Sequence, residues 1–165
     1  MARSAQMACI RQAYQDEVEE LADIWYQSWQ DAHAAILPVE LTRLRTRESF
    51  RARLHAALLS VRVVGERGSP IGFCMTNGDE LYQLFVSPAG RGTGVAALLE
   101  TDASEVIASR GIDVAWLACA IGNDRAARFY EKRGWRRVGT VVSQLDTRDG
   151  IFPLEVWRYE KNLAV

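Results

Sequence analysis

Residues 85–100 read Phe-Val-Ser-Pro-Ala-Gly-Arg-Gly-Thr-Gly-Val-Ala-Ala-Leu-Leu-Glu, a proline and three glycines set directly before an amphipathic run. Such an elbow suits an anion. The first amides of a helix have no intrahelical partner, and together with the helix dipole they attract a group such as a diphosphate. Gly92 and Gly94 remove the side chains that would keep phosphates from those amides. Charge-assisted bonds contribute about 1.5 to 3 kcal/mol each against roughly 0.3 to 1 kcal/mol for the dipole, so amide geometry matters more. A Walker A loop is excluded, because no Gly-Lys-Ser/Thr triplet occurs. Gly92, Gly94 and Ala97 satisfy the loose dinucleotide pattern, but residues 87–91 intervene and the upstream strands read as hairpins. A glycine-rich turn is also, in most chains, only a loop.

A second stretch, Asn-Asp-Arg-Ala-Ala-Arg-Phe-Tyr-Glu-Lys-Arg-Gly-Trp at 123–135, carries further polar chemistry. On a helix Asn123, Ala126, Ala127 and Tyr130 share one face, with two alanines leaving room between the polar ends. The structural alternative is an alanine face packed on a sheet, with Asn123 as N-cap and Tyr130 half-buried. Glu80 opens the stretch Glu-Leu-Tyr-Gln-Leu-Phe-Val and can accept a proton directly or through a water; beside Asp79 it can equally be a solvated carboxylate. Trp25, Trp29 and His33 recur every four residues, either as core or as an aromatic wall for a substrate. His33 and His55 are the only histidines, too few and too isolated for a metal site, so no metal is expected.

Both stretches together resemble the GNAT superfamily of N-acetyltransferases. The first is similar to its acyl-coenzyme A motif at Val86, Pro88, Arg91, Gly94 and Ala96; the second matches its other signature at Asn123, Ala126, Phe129, Tyr130, Glu131, Lys132 and Gly134, with Trp135 in place of phenylalanine. The resemblance covers the element order from Ala8 to the last hairpin. It implies that Phe85, Val86, Arg91, Gly92, Thr93, Gly94, Val95, Ala96, Asn123 and Tyr130 hold acetyl-CoA, with the pantetheine arm along the helix face. It further implies that Tyr130 protonates the leaving thiolate, that the Val86 amide, unpaired where its strand splays, holds the carbonyl oxygen, and that Glu80 is the base. Trp25, Trp29 and His33 on the first helix would border the acceptor. The expected activity is direct acetyl transfer to a primary amine of a small molecule, peptide or protein in a ternary complex. A non-catalytic acyl-CoA-binding module and a dinucleotide oxidoreductase are the rivals.

The elements that must position these groups follow from periodicity. The stretch 8–13 reads as a strand, with Asp16 and Glu19 as a capping box for a helix to about 33. Pro38 lies in a loop, and Thr46 caps a helix whose stripe is Phe50, Leu54 and Leu58. Three strands at 60–66, 71–77 and 80–86 form a meander with a Gly-Ser-Pro turn. After the elbow comes a helix closed by Gly111, a buried strand at 114–121, the helix of the second stretch, and a hairpin around 146–150. The segments 34–46 and 146–150 read as pocket rims. Pro153 indicates an edge or bulge, a surface that could serve a homodimer.

The expectation is a single α+β domain over 1–165, a mixed, mostly antiparallel sheet of about seven strands with about four helices. With 20 basic and 21 acidic residues, no global field draws in nucleic acid or an anionic membrane. No apolar run approaches the roughly 18 residues of a membrane span, and 1–11 lacks a secretory apolar stretch, so a cytoplasmic protein is expected. Cys9, Cys74 and Cys119 read as buried, reduced thiols. The basic residues Arg125, Arg128, Lys132, Arg133, Arg136 and Arg137 make a local patch that either meets phosphates or is a solvated face.

Overall fold

Consecutive apolar residues in the central strands place apolar side chains on both faces of a sheet, so both need cover. In β2 (Val61–Glu66) Val61 and Val63 enter one core and Val64 the other; in β3 (Ser69–Asn77) Phe73 and Met75 oppose Cys74 in the same way. The computed structural model describes residues 9–164; Ala8, expected in the first strand, lies outside them. Seven strands pair in the order β1-β2-β3-β4-β5-β7-β6. The remaining strands are β1 (Ile10–Gln12), β4 (Glu80–Val86), β5 (Val114–Ala120), β6 (Arg136–Thr147) and β7 (Gly150–Asn162). All neighbours are antiparallel except β4 and β5.

Helices α1 (Val18–His33), α2 (Val39–Leu44) and α3 (Arg47–Ala56) cover one face, where Trp25 stacks on Phe50 at 4.7 Å between centroids. On the other face α4 (Val95–Ala108) and α5 (Asp124–Lys132) pack over Cys74, Leu117, Trp135 and Tyr159. Five α-helices thus stand among the described residues where about four were expected. The extra one is α2, in the segment around Pro38 that reads as loop: the proline ends up as its N-cap, where a missing N–H costs nothing. Thr46 caps α3 as expected, accepting the Ser49 N–H at 3.1 Å. The start of α1 differs from the expected capping box. Glu17, at the end of a short 3₁₀ turn, accepts the Tyr14 and Gly68 amides and pairs with Arg11, whereas Asp16 pairs with Arg67 and Glu19 with Arg47 and Arg51. The first hairpin turns at Arg67 and Gly68, so Ser69 and Pro70 already belong to β3. Pro153 sits in β7 beyond the last residue paired with β5, so no ladder bond is lost on that side. Cys9 is exposed, against expectation; Cys74 and Cys119 are buried. No helix among the described residues is long and apolar enough to cross a membrane.

The central feature is the β4–β5 junction. One register pair, Glu80 with Trp116, joins these strands, reinforced by the Trp116 N–H donating to Asp79 O at 3.1 Å. Just past it β4 carries one extra residue against β3, Tyr82, because Thr76 opposes Leu81 while Met75 opposes Gln83. A bulge bends the strand that bears it. From there β4 stays with β3 and β5 stays with β7, so a gap opens between them.

Helix α4 is fixed beside this gap by Glu100, which is fully buried. Its carboxylate accepts the Trp135 indole N–H at 2.8 Å and the Lys161 ammonium at 2.6 Å, and pairs with Arg133 at 3.2 Å. Removing one partner of a buried ion pair typically costs about 3 to 5 kcal/mol. Glu100→Ala is therefore expected to destabilise the fold by about 3 kcal/mol or more in urea titrations, while Glu19→Ala, in an exposed pair, leaves the midpoint nearly unchanged.

Candidate active site

The polypeptide between β4 and α4 is tight because Gly90 lets it be. A Cβ there would lie 2.7 Å from Val86 Cγ1 and closer still to Ile71 Cγ2. A 3₁₀ turn at Pro88–Gly90 then leads to Gly92 and Gly94, both left-handed, with φ of +74° and +87°. Nothing lies within 4 Å of where a Cβ would stand on either, so the backbone there faces open space. Gly94 is the N-cap of α4 and has no side-chain cap. Leu98 is the first residue of the helix whose amide reaches a carbonyl, that of Gly94 at 3.1 Å. The amides of Gly92, Gly94, Val95, Ala96 and Ala97 find no acceptor among the described residues. Five donors are thus left for a ligand.

Of these residues, Gly92, Gly94, Ala96 and Ala97 line a cavity of about 510 Å³ formed with Leu84, Phe85 and Val86 of β4, with Asn123 and with Arg125, Ala126, Phe129 and Tyr130 of α5, and with Ser28 and Ala32 of α1. Of the residues singled out in the sequence, Phe85, Val86, Arg91, Gly92, Gly94, Ala96, Asn123 and Tyr130 line it together. Thr93 does not, its hydroxyl turning back to Gly90 O, and the Val95 side chain is buried in the core. Arg91 pairs with Asp31 of α1 at 2.9 Å and so ties the elbow to that helix. Asn123 caps α5, accepting the Ala126 amide at 3.3 Å, which leaves its side-chain NH₂ as the free donor. The expected face of α5 divides: Ala126 lines the cavity, while Ala127 is buried in the core. Within the basic patch Arg125 reaches this cavity, Arg133 pairs with Glu100, and Arg137 stacks over Trp157 at 3.8 Å. Ser28 and Ala32 carry no sequence signal that would have found them, being far from the motifs in the chain, whereas Leu84 directly precedes Phe85 and could have been added from the strand's own sequence.

Ladder geometry places the Val86 amide. The Ser87 N–H donates to Ile71 O at 2.7 Å, so in an antiparallel pair the intervening amide of Val86 points away from β3, towards the gap. The Val86 carbonyl accepts the Ser28 hydroxyl at 3.2 Å. The bulge lies at Tyr82, four residues before Val86. The Tyr130 hydroxyl has no hydrogen-bond partner among the described residues, and its ring meets Trp135 edge-on at 6.1 Å. Burial, with Cys119 and Glu100 nearby, raises its phenol well above the ordinary value. It keeps its proton at neutral pH.

On the other side of β4 a larger cavity of about 750 Å³ is lined by Trp25, Trp29 and His33 of α1, by Arg45 and Arg53, by Glu80 and Tyr82, and by residues of β5, β6 and β7. The aromatic residues serve both readings at once: Trp25 and Trp29 are core residues that also form cavity wall. Phe85 lines the smaller cavity and lies 6.2 Å from Trp25 and 6.5 Å from His33, so it partitions the two. Burial holds His33 down to about 4, and the ring is neutral. Glu80 is pushed up to about 7 by burial and by Asp79, with Arg158 opposing. A carboxyl poised near neutrality, at the one point where β4 and β5 touch, is equipped to take a proton. The rim segment 34–46 expected from sequence contributes Leu37, Leu41 and Arg45.

The elbow does belong to a parallel strand–helix–strand unit, β4–α4–β5, which the hairpin-like upstream strands had argued against. A dinucleotide site is nonetheless excluded by kinship. The sequence pattern of the acetyltransferase (GNAT) family matches residues 12–135. The peptidyl-lysine N-acetyltransferase YjaB of Escherichia coli is 31% identical over 145 residues, 88% of this chain and 92% of that protein; its apo-form solution structure superimposes with a TM-score of 0.70 over 92% and 95% of the two chains. A GCN5-related N-acetyltransferase of Rhodopseudomonas palustris shares the fold with a TM-score of 0.73 at 21% identity, covering 93% of this chain and 94% of that one. So does yncA of Salmonella typhimurium, solved with acetyl-CoA, with a TM-score of 0.68 at 18% identity over 95% and 94%. The chain belongs to the acetyltransferase (GNAT) family and is an N-acetyltransferase.

Proposed function

We propose that the chain transfers an acetyl group from acetyl-CoA to a primary amine while both are bound, one in each cavity. The observation that carries this reading is the run of five partnerless amides at an uncapped helix start, opening on a cavity that ends at Tyr130 and the β4–β5 gap. A pyrophosphate fits those donors, because Gly92 and Gly94 present bare backbone to open space. The acetyl-CoA bound by yncA and the lysine acceptor of YjaB are consistent with the assignment. When bound, acetyl-CoA supplies the acetyl group as a thioester, already activated towards amines.

The protein's own residues then divide the remaining work. The amides of the elbow and the Asn123 side-chain NH₂ hold and align the donor; Glu80, from the acceptor side, takes a proton from the ammonium, directly or through a water, so that the nitrogen lone pair is free. The Val86 N–H, facing the gap, hydrogen-bonds the carbonyl oxygen as negative charge gathers there. The Tyr130 hydroxyl gives its proton to the departing sulfur. Positioning carries most of the acceleration, since holding two reactants together supplies about 7 to 11 kcal/mol. Proton transfer contributes about 10² to 10⁴ in rate.

Gly94→Val places a branched side chain at φ +87° in front of the free amides; calorimetry is expected to find acetyl-CoA affinity weakened about a hundredfold or more. Tyr130→Phe is expected to lower kcat by about 10² while acetyl-CoA affinity changes by less than about twofold. Normal turnover would remove Tyr130 as the acid. For Glu80 the ionised form is the active one, so kcat/KM should rise with pH through about 7, and Glu80→Gln should flatten that limb. Linkage adds a second readout. Because the folded pKa lies above the unfolded one, the wild type loses stability as pH climbs from the ordinary carboxylate range to about 7. Glu80→Gln should therefore raise Tm at pH 8 and leave it unchanged below pH 4. An unaltered pH profile in the variant would show that another group is the base.

A further inference from the structure

Among the described residues, the half-buried cations outside the larger cavity have carboxylate partners. Arg11 pairs with Glu17, Arg62 with Asp102, and Arg133 and Lys161 with Glu100. Arg45 is more buried than any of these, at 5% exposure, and among the described residues it has no carboxylate oxygen within 4.0 Å. Its single hydrogen bond runs from Nη1 to the backbone carbonyl of Asp146 at 3.0 Å, which leaves most of the guanidinium fork unused on the wall of the larger cavity. Arg53, half-buried on the same wall, also lacks a carboxylate; it lies over the Trp25 ring at 4.4 Å and donates to the Tyr82 hydroxyl at 2.7 Å.

A guanidinium stays charged in any protein, and the spare N–H groups of Arg45 face the cavity, where an anion would offset the cost of burying the rest of the side chain. Burial first, and the facing Arg53 second, hold Arg45 down to about 10; Tyr82 and the Asp146 carboxylate oppose the shift without cancelling it. The other charged groups of the cavity do not fill the deficit. Arg158 pairs with Glu160, Asp146 is exposed with its carboxylate beyond ion-pair reach of Arg45, and Glu80 is influenced by Asp79 and Arg158. The planar fork of arginine matches a carboxylate bidentately, and the Trp25 face beneath Arg53 holds that second fork in place.

We propose that Arg45 and Arg53 form an anion subsite of the acceptor cavity, so that the favoured acceptor is an amine carrying a carboxylate. This rests on the acetyl-transfer reading above and narrows its substrate class. The same chemistry is offered by a free amino acid and by a lysine flanked by acidic residues in a peptide.

The test compares kcat/KM for matched acceptors: 5-aminovalerate against pentylamine, and a capped Glu-Lys-Glu peptide against its Gln-Lys-Gln counterpart. The carboxylate member of at least one pair is expected to be favoured by about tenfold or more, and which pair responds identifies the source. Arg45→Gln keeps a donor for Asp146 O but loses the charge, and should bring the ratio to within about twofold of unity. Arg53→Gln should lower it as well, and serves if the first variant folds poorly. In parallel, glutarate should raise the wild-type Tm over sodium chloride of equal ionic strength, and should not do so in Arg45→Gln. Equal rates within both wild-type pairs, or ratios that survive both substitutions, overturn the subsite while leaving acetyl transfer intact. No turnover with any amine, combined with a glutarate shift that depends on Arg45, overturns acetyl transfer while leaving the subsite intact.

Discussion

One register pair in the middle of the sheet governs the rest of this molecule. Strands β4 and β5 meet at Glu80 and Trp116 and nowhere else, because the bulge at Tyr82 turns β4 aside immediately afterwards. A sheet normally keeps its amides paired; here the gap leaves the outward amide of Val86 facing open space between two layers of helix. Closing the gap would satisfy the backbone and erase both cavities. What keeps it open is the commitment of each strand to its other neighbour, β3 for β4 and β7 for β5, together with Glu100, which locks α4 to Trp135 and Lys161.

The same geometry sets the electrostatics. Glu80 lies where the strands touch, and burial beside Asp79 lifts it to about 7. Tyr130, across the gap and enclosed by α5 and the core, is held in its neutral form by the same loss of water. The protonation of these two groups, each in the wall of a cavity, is set by desolvation more than by specific charge partners. Such groups cost the fold stability. The partnerless amides of the elbow and the unpaired guanidinium of Arg45 belong to the same class of incomplete interaction, each in the wall of a cavity.

Much of the frame was legible because local signals were strong. Thr46 capping α3, the bounds of β4 at residues 80–86, and glycines 111 and 134 in left-handed conformation after α4 and α5 all follow from residue type alone. The misreadings fall where a distant partner competes with a local pattern. Glu17 rather than Glu19 closes the start of α1, because Arg11 and Gly68, six and fifty-one residues away, also need its carboxylate. The spacing of α5 allows either an open face or a core-packed one, and the structure divides it: Ala127 turns into the core while Ala126, one position earlier, meets the cavity. Arg91 lines the cavity and also pairs with Asp31 on α1, a partner no local pattern announces.

By itself, the sequence determined the order of elements, the glycine elbow ahead of α4 and the polar types available around it, because turn chemistry, capping and apolar periodicity act over a few residues. Tertiary structure alone decided where β4 parts from β5, which amides are left without an acceptor and which guanidinium groups without a carboxylate, and how far Glu80 and Tyr130 are removed from water. Those properties are sums over contacts between segments far apart in the chain, such as Arg45 with the β6 carbonyl of Asp146, and no local pattern encodes them.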